Sequence, residues 1–242
     1  MKQIVTDNYS GYMKEGQDLV AAGFAGLAGT LLIADRKRQE LSNHFAAEYL
    51  ERLTILDKYN VTLEEKQHAL RKWEFFGAVE CEIAGEGGIL TAVWNLTGAY
   101  RLGVEFSLRK IPIRQETIEV CELFGLNPYR LYSGGCWLLA SENGGRTVEE
   151  LAEKGFNGAV IGRITKGISR IITDAGQRGF LNRPQPDELE KVIPDWKDAG
   201  YYWKGKGGSH EREDFGSDGE KQQDRYSGFG DSAGGKRDSG GK

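Results

Sequence analysis

The stretch of this sequence best suited to chemistry is Gly85-Glu86-Gly87-Gly88. Residues without a Cβ let backbone N–H groups come close to an anion, and a helix beginning just after them would direct its positive end at the same place. Phosphate is the ligand type such a loop takes. The spacing fits neither the Walker pattern, which has a lysine after its last glycine, nor the dinucleotide fingerprint. Glycines that merely turn a strand into a helix would look the same. Glu80, Glu82 and Glu86 crowd the loop; as hard oxygen ligands they would hold Mg²⁺ beside a phosphate, or they would repel that phosphate. A second pair, Gly134-Gly135, stands just before an apolar run and would suit the wall of a cleft.

Other reactive side chains are sparse. His44 and His68 fall in charged helical stretches without a nearby Cys or Asp partner, which reads as surface histidine rather than a nucleophile's base or a metal ligand. Cys81 and Cys136 flank the two glycine segments, but no basic neighbour is evident to lower a thiol pKa, and small core residues are the simpler reading. The three cysteines (81, 121 and 136) show no CxxC spacing and, with three histidines, build no usual zinc pattern. Free thiols in a reducing compartment are expected. The sequence thus names no catalytic residue and no metal ligand.

The elements that must position these residues alternate. A strand is expected at Asp18–Ala22, then a glycine-punctuated turn over 23–29 and an apolar helix near Thr30–Ala34. Phe45, Tyr49, Leu53 and Leu56 recur at spacings that share one helix face, and 63–75 reads as another helix. The run Ala78–Ile83 alternates like a half-buried strand, breaks at the glycine loop and resumes as a helix over 89–100. A strand at 104–108 comes next, and then a helix over 116–124 closed by Gly125. Beyond it come a strand at 136–140, a helix at 147–153 with Thr147 as cap and Glu150 three residues on, and a strand at 159–164. A hairpin is expected around Asp174-Ala175-Gly176. Without strict βαβ regularity, this order predicts an α/β (α+β) fold with a mixed sheet flanked by helices.

The chain has 242 residues, 39% hydrophobic and 28% charged, an ordinary globular balance. No run approaches the roughly 18 apolar residues of a spanning helix, and 1–14 is too polar for a secretory signal, so a cytoplasmic protein without membrane contact is expected. A net charge of −4 argues against broad nucleic-acid binding. The last Ile, Leu or Val is Ile193; residues 204–242 hold 11 Gly, 8 basic and 8 acidic side chains. That composition does not offset the entropy of ordering, about 1–2 kcal/mol per residue. The expected division is an N-terminal segment 1–15, a domain 16–193, and a linker with a disordered Gly/Ser/charged tail over 194–242. Tyr226 and Phe229 in the tail would stack only weakly on RNA bases.

Six segments in order, Gly16-Gln-Asp-Leu-Val20, Gly26-Leu-Ala-Gly-Thr30, Glu86-Gly-Gly-Ile89, Ile111-Pro-Ile-Arg-Gln-Glu-Thr117, Cys121-Glu-Leu-Phe-Gly-Leu-Asn-Pro128 and Ser133-Gly-Gly135, carry a resemblance. The chain resembles the C-terminal domain of the AIR (aminoimidazole ribonucleotide) synthase-related family, and within it the hydrogenase expression/formation maturation factors. The resemblance covers about 16–192. It implies a mixed sheet flanked by helices, and a partner N-terminal half that supplies most ATP and Mg²⁺ ligands. It also implies Glu86, Gly87 and Gly88 as a ligand or phosphate loop, with Ser133 and Gly135 as the second wall.

Departures from the family pattern shape the functional expectation. Where relatives read His-Asp-x-Thr-Glu-Gly-Gly, this chain has Glu82-Ile-Ala-Gly-Glu-Gly-Gly88, so Ile83 replaces a charge and Gly85 a hydroxyl. Nothing precedes Met1 that would be the N-terminal half, and the terminal cysteine of the maturation enzymes has no counterpart. The expectation is a domain lacking the ATP-binding half and binding no cofactor alone, with ATP and Mg²⁺ implied only by resemblance. It would be non-catalytic alone and act by binding a partner or a phosphorylated small molecule. Candidate partners are a separate ATP-binding half, which would complete an ATP-dependent enzyme in trans, or a second copy.

Overall fold

The computed structural model describes residues 13–59 and 73–197. The expected 63–75 helix lies outside them up to residue 72, as does the expected tail from 198 onward, and Trp73–Phe76 forms a 3-10 turn. The described residues belong to a single compact unit.

Seven strands form one sheet: β1 (Asp18–Ala22), β2 (Ala78–Ile83), β3 (Gly103–Phe106), β4 (Trp137–Ser141), β5 (Gly158–Thr165), β6 (Arg170–Asp174) and β7 (Gln177–Phe180), in the order β2-β4-β1-β5-β3-β6-β7. Every pairing is antiparallel except β3 with β6, so the sheet is mixed, as the alternation of elements predicts. Period-two alternation splits the apolar residues between its faces. Leu19, Ala21, Val104, Phe106, Leu138 and Ala140 meet the helix Gly88–Ala99 on one side; Val20, Ala22 and Leu139 meet Leu151 and Phe156 on the other.

The helices are α1 (Leu27–Arg36), α2 (Arg38–Ser42), α3 (Ala47–Ile55), α4 (Gly88–Ala99), α5 (Gln115–Phe124) and α6 (Gly144–Glu153). A further apolar cluster joins α1, α3 and α5 through Leu31, Ile33, Leu53 and Val120, and takes in Leu189, Ile193 and Trp196 from the chain's last described segment. Gly125 closes α5 in the left-handed conformation (φ 64°), as expected of a C-terminal glycine. The β6–β7 hairpin turns at Ala175 and Gly176, both at positive φ, the twist a two-residue hairpin needs.

Two helix starts lie three residues earlier than the sequence reading: α1 begins at Leu27, inside the expected 23–29 turn, and α6 before Thr147. Helix α6 starts at Gly144, and its cap is Asn143, whose side chain accepts the Arg146 N–H at 3.1 Å. Thr147 is buried one turn inside, where its hydroxyl donates to Ser141 Oγ at 2.8 Å. Asn is the stronger cap, and Asp18 on β1 adds a second acceptor for the Gly144 N–H at 3.0 Å, which moves the start three residues earlier.

Leu139 lies at the centre of β4 with no exposed surface. Leu139→Ala should lower the unfolding free energy by about 2–5 kcal/mol in urea denaturation, whereas Ile168→Ala at a largely exposed position should stay within about 0.5.

Candidate functional site

Strand β2 delivers the chain to the glycine loop at one end of the sheet. Ala84 is buried and donates its N–H to the Cys136 carbonyl at 2.9 Å, which ties the loop to the start of β4. The Gly85 carbonyl accepts the N–H groups of Gly88 and Ser133, both at 3.2 Å. Gly87 and Gly88 take left-handed φ values of 75° and 66°, which turn the strand directly into α4. Glycine at 88 is further required by a close approach: a Cβ there would collide with the Tyr129 carbonyl and the Arg130 backbone.

The loop segment 125–135 lies against this turn. Leu90 N–H bonds to the Tyr129 carbonyl at 3.3 Å, and Ser133 N–H closes the other side on Gly85. The two segments nominated from sequence are therefore brought together. Ser133 itself is fully buried: its hydroxyl accepts the Gly26 N–H at 2.8 Å and donates to the Leu131 carbonyl at 2.7 Å. The Gly135 carbonyl stands where a Cβ on Gly23 would be, so this glycine pair packs against the turn before α1.

A residue the sequence reading passed over joins the two loops. Asp187 is 1% exposed, yet its carboxylate accepts three backbone N–H groups: Gly87 to Oδ2 at 2.6 Å, and Tyr132 and Leu189 to Oδ1 at 3.1 and 2.9 Å. Gly87 is the N-cap of α4 and has no side-chain cap from its own segment, so the positive end of that helix faces this carboxylate. Burial pushes the Asp187 carboxyl up from 3.8 to about 6; the three N–H bonds oppose that, and neighbouring Glu86 adds to it. The sequence did contain a signal, since Asp187 with Glu190 three residues on has the spacing of a helix-start box. It caps the 3-10 turn Glu188–Lys191 accordingly.

Several neighbouring titratable groups are engaged. Lys197 bridges Glu86 at 2.5 Å and Glu190 at 2.7 Å, and these carboxylates hold its ammonium above the usual lysine range. Glu188 accepts the Asn127 N–H at 3.2 Å and the Lys191 ammonium at 2.6 Å. On β2, Glu80 accepts the Tyr100 hydroxyl, and burial raises Glu82 against a bond from Asn95. The thiols of Cys81 and Cys136 are pushed up to about 12, chiefly by burial. His44 sits exposed in the turn between α2 and α3; His68 lies outside the described residues. Among the described residues no group of three or more His, Cys, Asp or Glu side chains converges to hold a metal ion.

No family model matches the sequence, and no curated protein matches it. Among solved structures the chain is similar to Escherichia coli HypE, a hydrogenase maturation protein, at 19% identity and a TM-score of 0.56, over 75% of this chain and 55% of that one. It is also similar to a hydrogenase maturation protein HypE in complex with ATP (16%, TM-score 0.52, 74% and 53%) and to a chain of a HypE–HypF complex (17%, 0.51, 71% and 54%). The chain spans little more than half the length of these structures. The fold is the AIR synthase-like α/β fold they share. The ATP phosphate that the resemblance implies does not fit the closed loop, because the Gly87 amide already serves the Asp187 carboxylate, which would repel a second anion.

Two outcomes check this geometry. Gly88→Ala should cost about 2–4 kcal/mol through left-handed strain and collision, while Gly85→Ala, with open space around it, should stay within about 1. An Asp with a folded pKa above its unfolded one loses stability as pH rises through the folded value. Wild-type stability relative to Asp187→Asn should therefore increase as pH falls from 7.5 to 4.5, by about 2 kcal/mol in denaturation at fixed ionic strength. A difference that is flat or of opposite sign contradicts the assignment.

Proposed function

We propose that this chain is a binding lobe of AIR synthase-like fold, without catalysis of its own, that engages a partner or a phosphorylated small molecule at the glycine-loop end of its sheet. The working surface is the Glu86-Gly87-Gly88 loop with the segment that carries Ser133 and Gly135. The observation that most supports the lack of catalysis is the Asp187 carboxylate inside the loop. With its amide on an internal anion the loop is closed, and the surrounding groups are committed to one another: Glu86 to Lys197, Ser133 to Gly26 and Leu131. High thiol pKa values at Cys81 and Cys136 speak against nucleophilic work there. Three free cysteines, and no described helix long and apolar enough to cross a membrane, accord with the cytoplasm.

A second reading makes the chain half of an ATP-dependent enzyme completed in trans. What favours it is the match to about half of each HypE chain, one of them described in complex with ATP and another with HypF. A separately encoded ATP-binding half would then dock here.

The pure full chain with ATP and Mg²⁺ should release no phosphate above a Gly87→Asp control in a coupled assay; turnover above that control removes the first reading. Mixing with a separately expressed ATP-binding half distinguishes the second. Association at micromolar concentration with restored turnover supports it, and no association in sedimentation rejects it.

A further inference from the structure

We propose that the free edge of β7 docks a second copy of this chain: two β7 strands pair antiparallel about a twofold axis at Gly179 and join two sheets into one. The surface is the outer strand of the sheet, not the glycine loop, and the inference stands whether or not that loop holds a ligand.

The sheet ends in β2 on one side and β7 on the other, and the two edges are finished differently. On β2 the register shifts between Ala78 and Glu80, and the Glu80 carboxylate accepts the outward Cys81 N–H at 2.9 Å. An irregular register and a carboxylate laid over the outer donors keep a further strand away. Beyond its shortness, β7 has no such guard. Its ladder with β6 runs without a shift from Asp174↔Gln177 to Ile171↔Phe180, and the Leu181 N–H continues it to the Arg170 carbonyl at 2.9 Å. Bonded and non-bonded pairs alternate along an antiparallel ladder, so Gln177, Gly179 and Leu181 turn their backbone groups to β6. Arg178 and Phe180 turn theirs outward, where no described residue bonds to them.

The side chains match this exposure. Phe180 is 75% exposed and shares a sheet face with Ile171 and Glu105. Helix α6 packs on the same face further in, with Val148 and Leu151 in one cluster with Val20, Ala22 and Val160. Arg178 reaches across β6 to Glu105 at 3.1 Å, so its charge is answered within the chain and its aliphatic stem is left for packing. Gly179 has neither a left-handed φ nor any atom within 4 Å of where a Cβ would stand. Nothing inside the chain calls for glycine there, and a strand glycine of this kind marks a close approach by another backbone.

What fits this edge is the edge itself, because a twofold interface must be self-complementary. With the axis at Gly179, Arg178 of one copy opposes Phe180 of the other, which bonds both outward N–H groups and both outward carbonyls of each strand. Each ring then rests on the stem of the opposing arginine, and the two glycines meet at the closer type of pair, about 4.5 Å between Cα atoms. An axis at Arg178 would set two arginines directly opposite each other, which a sheet disfavours. Four-residue strands cover less than the roughly 1,200 Å² of a standard interface, so the dimer is weak, with a Kd of about 10–100 µM.

The test is sedimentation equilibrium of the full chain from about 1 to 500 µM, with amide hydrogen exchange at both ends of that range. The chain should pass from monomer to dimer. Phe180→Lys, at an exposed position, should weaken association at least about tenfold, whereas Ile83→Lys on the opposite edge should leave it unchanged. The Arg178 and Phe180 amides should gain protection as concentration rises. A monomer throughout, a dimer that survives Phe180→Lys, or a dimer without new protection at these two amides overturns the inference. Protection there that does not vary with concentration also overturns it, since the occupant is then a segment of the same chain.

Discussion

One buried carboxylate sets the geometry on which this end of the molecule depends. Asp187 gathers amides from the β2–α4 turn, the loop before β4 and the chain's last described turn. Each of those amides, left dry and unpaired, would carry a penalty of about 1–3 kcal/mol. Together they make the carboxylate a bridge between segments that are otherwise joined by a few carbonyl contacts. The arrangement is costly, because burial disfavours the charge that the amides need.

The sheet supplies the rigidity that lets such a bridge form. β2 and β4 are paired neighbours, so the turn after one and the loop before the other start from a fixed separation. Gly88 closes the gap by allowing backbone against backbone, and Ser133 ties the same loop to the turn ahead of α1 through Gly26. Ligand-facing shape and core packing are therefore one construction at this end. A change at Ser133 reaches α1 before it reaches any ligand.

Much of this was legible in the chain. Strands Asp18–Ala22 and Ala78–Ile83, the second from its alternation, are expected and coincide with the observed elements, and glycine at 125 and 176 marks the ends where left-handed backbone occurs. Their signals are local, carried by neighbours in sequence. The α6 start was displaced because two acceptors, Asn143 and the distant Asp18, outweighed the pattern at Thr147. Glu86, Gly87 and Gly88 are a candidate loop in the sequence, but their contact with Asp187 is not legible there, since Asp187 is 100 residues from Gly87 and 55 from Tyr132. Its start-of-helix spacing announced a cap and gave no hint of two further donors. Ser133 is a wall only by family resemblance; the fold reveals that both of its hydroxyl bonds are internal.

The central claim is that the glycine loop holds the chain's own carboxylate, and the amide protons of Gly87 and Tyr132 report on it directly. Tracked by NMR between pH 4 and 8, both resonances should move together along a single titration with a midpoint near 6. Resonances that stay fixed over this range, or that titrate independently of each other, would contradict the account.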